Sequence, residues 1–390
     1  MELLLYLYIL IVVYLFLKYS RIRTLYIFSP YILIYLNFIF NDAIPFLFFY
    51  PDVPENIQYT TFTAAIINLS FLFLFRKQAQ VPISINLPLS SIKLNKKRKI
   101  LLSCFVFFLL WAGVMSGVLI NLLRGNNIED LRRTSEIGVG VIRDIPMLGI
   151  QIIMLVLFLQ KTWKCYYKVV AFYSFCLSVF LFLTTGNKGG VLVGVTLFLL
   201  FFHLKKRGFK WYEYVLYYLA MPLAAGTLQG IRGGDLTLIA SQIAVILYQA
   251  NSIPIMNAVG TENFFWGEEY YTGLVKFIPR FLWPDKPLSF DYKLKELANY
   301  DFEGGGIYTT LCNDLYINFG YYYFIFYILW LLFIHYLYGM VMDDKRFYYS
   351  RIIALFIILM GGIASTIGSC EILLLFLLFL ILYYSRVKTL

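Results

Sequence analysis

Apolar runs of membrane-spanning length recur from one end of this chain to the other, and they constrain its fold more than any other feature. In hydrocarbon every backbone N–H and C=O must be satisfied within the protein, and long apolar runs satisfy them as helices. Eleven such runs are readable, at roughly 3–17, 24–40, 57–75, 100–121, 145–160, 167–185, 191–204, 212–228, 318–340, 352–367 and 371–384. The expected fold is therefore all-α: a polytopic integral membrane helical bundle of about eleven transmembrane helices, forming one domain over 1–390. Composition agrees, with 61% hydrophobic and 14% charged residues, where soluble domains hold about 45–50% and about 25%. The run at 3–17 is short enough to suggest a signal peptide, but it has no basic residue before it and no small-residue cleavage site. Lys18, Arg21 and Arg23 follow it instead, so it reads as a retained helix.

Charge sets the expected orientation, because Lys and Arg concentrate in loops that stay cytoplasmic. With the N-terminus outside, the inside loops hold 22 Lys/Arg against 3 Asp/Glu, and the outside segments hold 11 against 19. The net charge of +11 is thus a topology signal, not a nucleic-acid footprint. The same orientation places one long polar segment outside, 229–306, between helices 8 and 9. It carries six Lys/Arg and nine carboxylates. Within it, 236–259 is apolar, but Ser241, Gln242, Gln249, Asn251 and Pro254 interrupt it. A crossing there would put the later basic loops outside, so a re-entrant or interfacial helix buried against the bundle is expected.

Cysteine and histidine offer little chemistry. Cys104, Cys165 and Cys176 read as apolar fillers or reduced thiols. Cys312 and Cys370 both fall near the outer face, where pairing is open to them. No Cys/His spacing resembles a metal site. The two histidines, His203 and His335, lie near inner ends of spans, so no Ser/His/Asp arrangement is available outside.

Cations kept outside against the positive-inside bias are the first candidates for a site. Arg232 sits in Gly230-Ile-Arg-Gly-Gly234, where glycines let the backbone approach a ligand closely. Arg280 and Lys286 flank Trp283 within Ile278-Pro-Arg-Phe-Leu-Trp-Pro-Asp-Lys-Pro287, a stiff run suited to the interface. Lys188 lies in the turn Gly186-Asn-Lys-Gly-Gly190, and Arg132 and Arg133 lie in the outer segment 122–144. Guanidinium binds phosphate oxygens bidentately and Lys supplies a point charge, so together these residues suit a diphosphate at headgroup depth. The alternative for each is to snorkel or to pair with a carboxylate. Asp314 in Leu311-Cys-Asn-Asp-Leu-Tyr-Ile-Asn-Phe-Gly320 lies at the outer mouth of the ninth span. It suits a general base there, or a helix cap. Asp42, Glu268, Glu269, Asp285, Asp291 and Glu303 read as solvated. Trp266, Tyr270, Tyr271, Trp283 and Tyr308 belong to an aromatic belt or stack on sugar rings.

Three of these pieces resemble the oligosaccharide repeat-unit polymerases of bacterial envelopes (O-antigen polymerases, Wzy-type). They are the Gly-rich turn Thr185-Gly-Asn-Lys-Gly189, the Ile278–Pro287 run, and the Asp314–Gly320 signature after Gly304-Gly-Gly306. Lys188 stands where that family usually has arginine, and no arginine-x10-glycine repeat is present. The resemblance implies a glycosyltransferase-C-like bundle in the bacterial inner (plasma) membrane. It implies transfer of the growing glycan from undecaprenyl diphosphate to the non-reducing end of a new lipid-linked repeat unit. Arg232, Arg280 and Lys286 would hold the diphosphate, Lys188, Arg132 and Arg133 would support it, and Asp314 would be the base. No cofactor and no metal are expected. The implied partners are undecaprenyl-diphosphate-linked oligosaccharides, membrane lipids, a chain-length regulator and a flippase. An O-antigen ligase is the nearest rival, but it would place a histidine in the outer loop. A transporter or flippase would bury ionisable groups deep in several spans, whereas Glu213, Asp314 and Glu371 fall at span ends. A scaffold for envelope assembly would leave the outer cations unexplained.

Overall fold

The computed structural model describes residues 2–20, 34–35, 37–49, 52–75, 212, 244–275, 278, 282–287, 290–299 and 309–342. These residues are helical, with no strand among them. In chain order they form α1 (Glu2–Ser20), a π-turn (Ile39–Ala43) running into α2 (Ile44–Phe49), and α3 (Glu55–Leu74). Then follow α4 (Ala244–Val259), α5 (Glu268–Val275), α6 (Phe290–Leu297), α7 (Leu311–Phe319), a 3₁₀ turn (Gly320–Tyr322) and α8 (Tyr323–Met342). The expected spans at 100–121, 145–160, 167–185, 191–204, 352–367 and 371–384 lie outside the described residues. So does 212–228 apart from Tyr212, and most of 24–40.

Among the described residues two helical segments are long and apolar enough to cross a membrane, Glu55–Leu74 and Leu311–Gly339. Each of them leaves large apolar side chains exposed. A helix of a soluble core buries one apolar stripe and turns polar residues outward. Here α8 buries Tyr323, Tyr327, Trp330, Leu331 and Ile334, yet turns Ile325, Leu329, Leu332 and Tyr336 outward. The shorter apolar α1 behaves alike, burying Leu5, Tyr8 and Val12 while exposing Leu3, Leu10 and Tyr14.

The second span begins earlier than the expected 318. Thr310 caps α7 with its side-chain oxygen, which accepts from the Asn313 N–H at 3.3 Å. Asp314 therefore lies one turn inside the helix, and the capping role left open for it belongs to Thr310. Gly320 closes α7 at φ +58° and ψ −140°, a conformation that L side chains avoid. Its missing Cβ also makes room for Phe264, whose ring atoms lie 2.5–2.8 Å from where that Cβ would be. The loop after α4 is thereby seated on the turn between α7 and α8, helped by Phe265 N–H donating to the Ile317 carbonyl (3.1 Å).

Polar side chains tie the spans together, as expected where lipid leaves no water to satisfy them. Thr60 Oγ1 of α3 donates to Asn313 Oδ1 of α7 (2.9 Å), and Tyr323 Oη of α8 donates to the Thr60 carbonyl (2.8 Å). Deeper along the same helices Tyr327 Oη donates to Asn68 Oδ1 (2.9 Å). Asn56 of α3 donates from Nδ2 to the Met256 carbonyl (2.6 Å), in the last turn of α4.

α4 is described over the 16 residues Ala244–Val259. Its Ser252, Ile255, Met256 and Val259 are fully buried, and it packs against the π-turn, α2, α3, α6 and α7. α4 is thus held against the other described helices. Cys312 is a free, buried thiol, so it does not pair with Cys370.

Candidate functional site

α7 carries Asp314 and Asn318 four residues apart, and that spacing places both on one helix face. Asp314 is only 1% exposed. Thr309, just before the cap, donates weakly from Oγ1 to Asp314 Oδ1 at 3.5 Å. Asn318 uses its Nδ2 twice, donating to the Asp314 carbonyl (3.0 Å) and to Glu269 Oε2 of α5 (2.8 Å). The Glu269 carboxyl is also in hydrogen-bond contact with Asp314. Two carboxyl groups from α5 and α7 thus meet at the start of the longer candidate span. Two carboxylates in contact repel unless a proton lies between them.

Burial pushes the Glu269 carboxyl above the usual carboxylate range, and its hydrogen bonds with Asp314 and Asn318 oppose that rise. Tyr270, the next residue, faces both acids. Burial first, then the Asp314 and Glu269 charges, pushes its phenol well above the usual range, so it remains a donor. Its ring stacks on Phe319, centroids 5.7 Å apart, and Phe319 stacks on Phe326 at 3.6 Å. The Tyr270 hydroxyl and Asn318 Oδ1 are both buried and make no hydrogen bond among the described residues. The cluster therefore presents a donor, an acceptor and a carboxyl pair.

Two helices of the polar segment close over this face. α5 is joined to α6 by an ion pair between Glu268 and Lys293. Beneath α6, Phe290 packs edge-on against Phe265 at 4.9 Å, and Lys295 is buried against the Tyr292 ring. Trp266 and Tyr271 keep exposed rings beside α5, at 66% and 50% exposure. Those two have free faces for a sugar, whereas Tyr270 is committed to the internal stack.

Of the site residues expected from sequence, Asp314 is built into the cluster. Lys286 lies on the Ile278–Pro287 run, where its Nζ donates to the Ile278 carbonyl (2.8 Å) and its N–H to the Trp283 carbonyl (3.1 Å). Both bonds fold the run on itself. Arg132, Arg133, Lys188, Arg232 and Arg280 lie outside the described residues, as do Glu303 and Tyr308. Asp285 is exposed, as expected.

Two expectations are corrected. Glu269, read as solvated, is drawn into the Asp314 cluster by α5. Asp42, also read as solvated, is 4% exposed in the π-turn. Burial raises its carboxyl to about 7, opposed by a hydrogen bond with Thr310. Its surroundings are Tyr8, Cys312, Tyr323 and Tyr327, and its Oδ1 makes no hydrogen bond. Among the described residues no group of three or more His, Cys, Asp or Glu could hold a metal ion. Comparison with known protein families, curated proteins and solved structures returns no match for this chain.

Proposed function

We propose that this chain is a bacterial inner-membrane polymerase of lipid-linked oligosaccharide repeat units. In this reading about eleven helices span the membrane with the N-terminus outside, and 229–306 forms an outer loop between helices 8 and 9. The growing glycan moves from undecaprenyl diphosphate to the non-reducing sugar of a new lipid-linked unit. The observation that carries the reading is Asp314. It is an acid held almost wholly out of water at the start of a spanning helix, with polar groups around it and exposed aromatic rings nearby. Glycosyl transfer to a hydroxyl needs a base in such a position. A lipid-linked donor needs that base at the membrane surface, next to cations that take up the charge of the departing diphosphate. Arg232, Arg280 and Lys286 are proposed for that task, with Lys188, Arg132 and Arg133 in support.

Deletion of the gene in its native strain, with surface glycan resolved on a gel, tests the function. The expected outcome is loss of the polymer ladder with a single repeat unit still attached. Loss of all attached glycan would assign the chain to ligation or to flipping instead, and an unchanged ladder would remove it from glycan assembly.

A further inference from the structure

The cluster on α5 and α7 carries one inference more, which rests on the transfer reaction proposed above. We propose that Glu269 and Asp314 act as a single proton-sharing pair that takes the proton of the acceptor sugar's hydroxyl. Three observations converge on it. Asn318 of α7 donates both to Glu269 Oε2 of α5 (2.8 Å) and to the Asp314 carbonyl (3.0 Å). That brings the two carboxyls within each other's electrostatic reach, and Thr309 bonds Asp314. Glu269 is half-buried, so the pair opens outward on its α5 side. The Tyr270 hydroxyl and Asn318 Oδ1 stand buried beside it, with no hydrogen bond among the described residues. A sugar hydroxyl both donates and accepts, and it matches that set: it accepts from Tyr270, and it donates to Asn318 or to the pair.

In the step itself, the acceptor O–H bond breaks and its proton passes to the Asp314 carboxylate. The oxygen's electron pair forms the new bond to the donor's anomeric carbon. The anomeric C–O bond to the diphosphate breaks, and its electron pair leaves with the lipid diphosphate. Glu269 contributes through its charge. When both carboxyls are ionised, like charges in a buried place make the first proton welcome, so the pair is a stronger base than a lone aspartate. Among the described residues the groups facing the pair are Tyr270 of α5, Asn318 of α7 and Thr309 before it. Glu268 is engaged by Lys293 of α6, Lys295 by the Tyr292 ring, and Asp42 lies on the far side of Thr310.

The test uses the full-length protein in lipid nanodiscs with lipid-linked repeat units extracted from the native strain. Glu269→Gln keeps the shape and can still bond Asn318 and Asp314, but removes one charge. Wild type is expected to lose activity on the acid side at a pH above the ordinary carboxylate range. In Glu269→Gln that acid limb moves down by about one pH unit or more, with a lower plateau. A limb and plateau unchanged in Glu269→Gln would overturn the pair and leave Asp314 a lone base. Infrared titration of the protonated carboxyl band supplies a readout independent of transfer. One step should vanish in both Glu269→Gln and Asp314→Asn, while the step of Asp42 persists. If that step is found but wild type transfers no sugar, the pair stands and the polymerase reading falls. If no step is lost in either variant, the pair falls.

Discussion

Two buried acids sit on either side of one pair of threonines, and they are built for opposite ends. Thr309 serves Asp314 and Thr310 serves Asp42, so a single peptide link separates their hydrogen-bond partners. Asp314 has Glu269 and Asn318 for company, and its partner Glu269 reaches the surface. Asp42 is packed among a thiol and tyrosine rings of α1, α7 and α8, with one of its oxygens unbonded. Burial raises the Asp42 carboxyl, and it raises that of Glu269, the partner of Asp314. Only Asp314 couples burial to a second carboxyl, that of Glu269, which is half-buried. The difference teaches that a raised carboxyl marks chemistry only where substrate can reach it.

The sharpest way to break this comparison is to neutralise each acid in turn. Asp314→Asn, expressed at the normal level in the deletion strain, should abolish the glycan ladder, because loss of a general base lowers rate by about 10²–10⁴-fold. Asp42→Asn should restore the full ladder, since a carboxyl raised to about 7 is already neutral about half the time at pH 7, and the amide keeps its shape. If Asp42→Asn also erases the ladder at normal membrane abundance, the deep acid is part of the machinery and the contrast fails.

A second effect belongs to Asp42 alone and appears as stability. Its carboxyl sits at about 7 in the folded chain against 3.8 as the ordinary value, so the folded state holds a proton that the unfolded chain has lost. Its contribution is full below the ordinary value, falls as pH rises towards 7, and is flat above. The fall is of the order of 1.4 kcal/mol for each pH unit in that window. Thermal unfolding in detergent, followed at pH 5 and pH 8, should show a lower midpoint at pH 8 for wild type. The gap should narrow in Asp42→Asn, and an equal gap in both would mean that Asp42 is not held protonated.

Much of the scaffold was legible because lipid imposes a coarse rule. The apolar runs at 57–75 and 318–340 fall on α3 and α8. Asp314 was legible as an acid at a span's mouth, and Asn318 could have been, since a spacing of four puts both on one face. Glu269 was not, because it lies 45 residues before Asp314 and beside Glu268, which meets the surface ion pair instead. No local pattern tells which of two adjacent glutamates a short helix turns inward. Asp42 was misread for a related reason: proline and acidic neighbours look like a watered loop, whereas the π-turn carries the side chain back beneath α1.

The smallest expected effect lies at the joint between α5 and α6, and it separates holding the pair from being the pair. Glu268 and Lys293 are 31% and 38% exposed in their side chains, so water screens their attraction. Exposed ion pairs of this kind are worth about 0–1 kcal/mol. Lys293→Met should therefore leave the midpoint of unfolding within a few degrees and the ladder intact, and should leave the acid limb of the rate profile where wild type has it. A limb that moved with Lys293→Met would show that α5 is steered electrostatically through Glu268. In that case the proton affinity of the Glu269–Asp314 pair would depend on the surface charge above it as well as on the two carboxyls themselves.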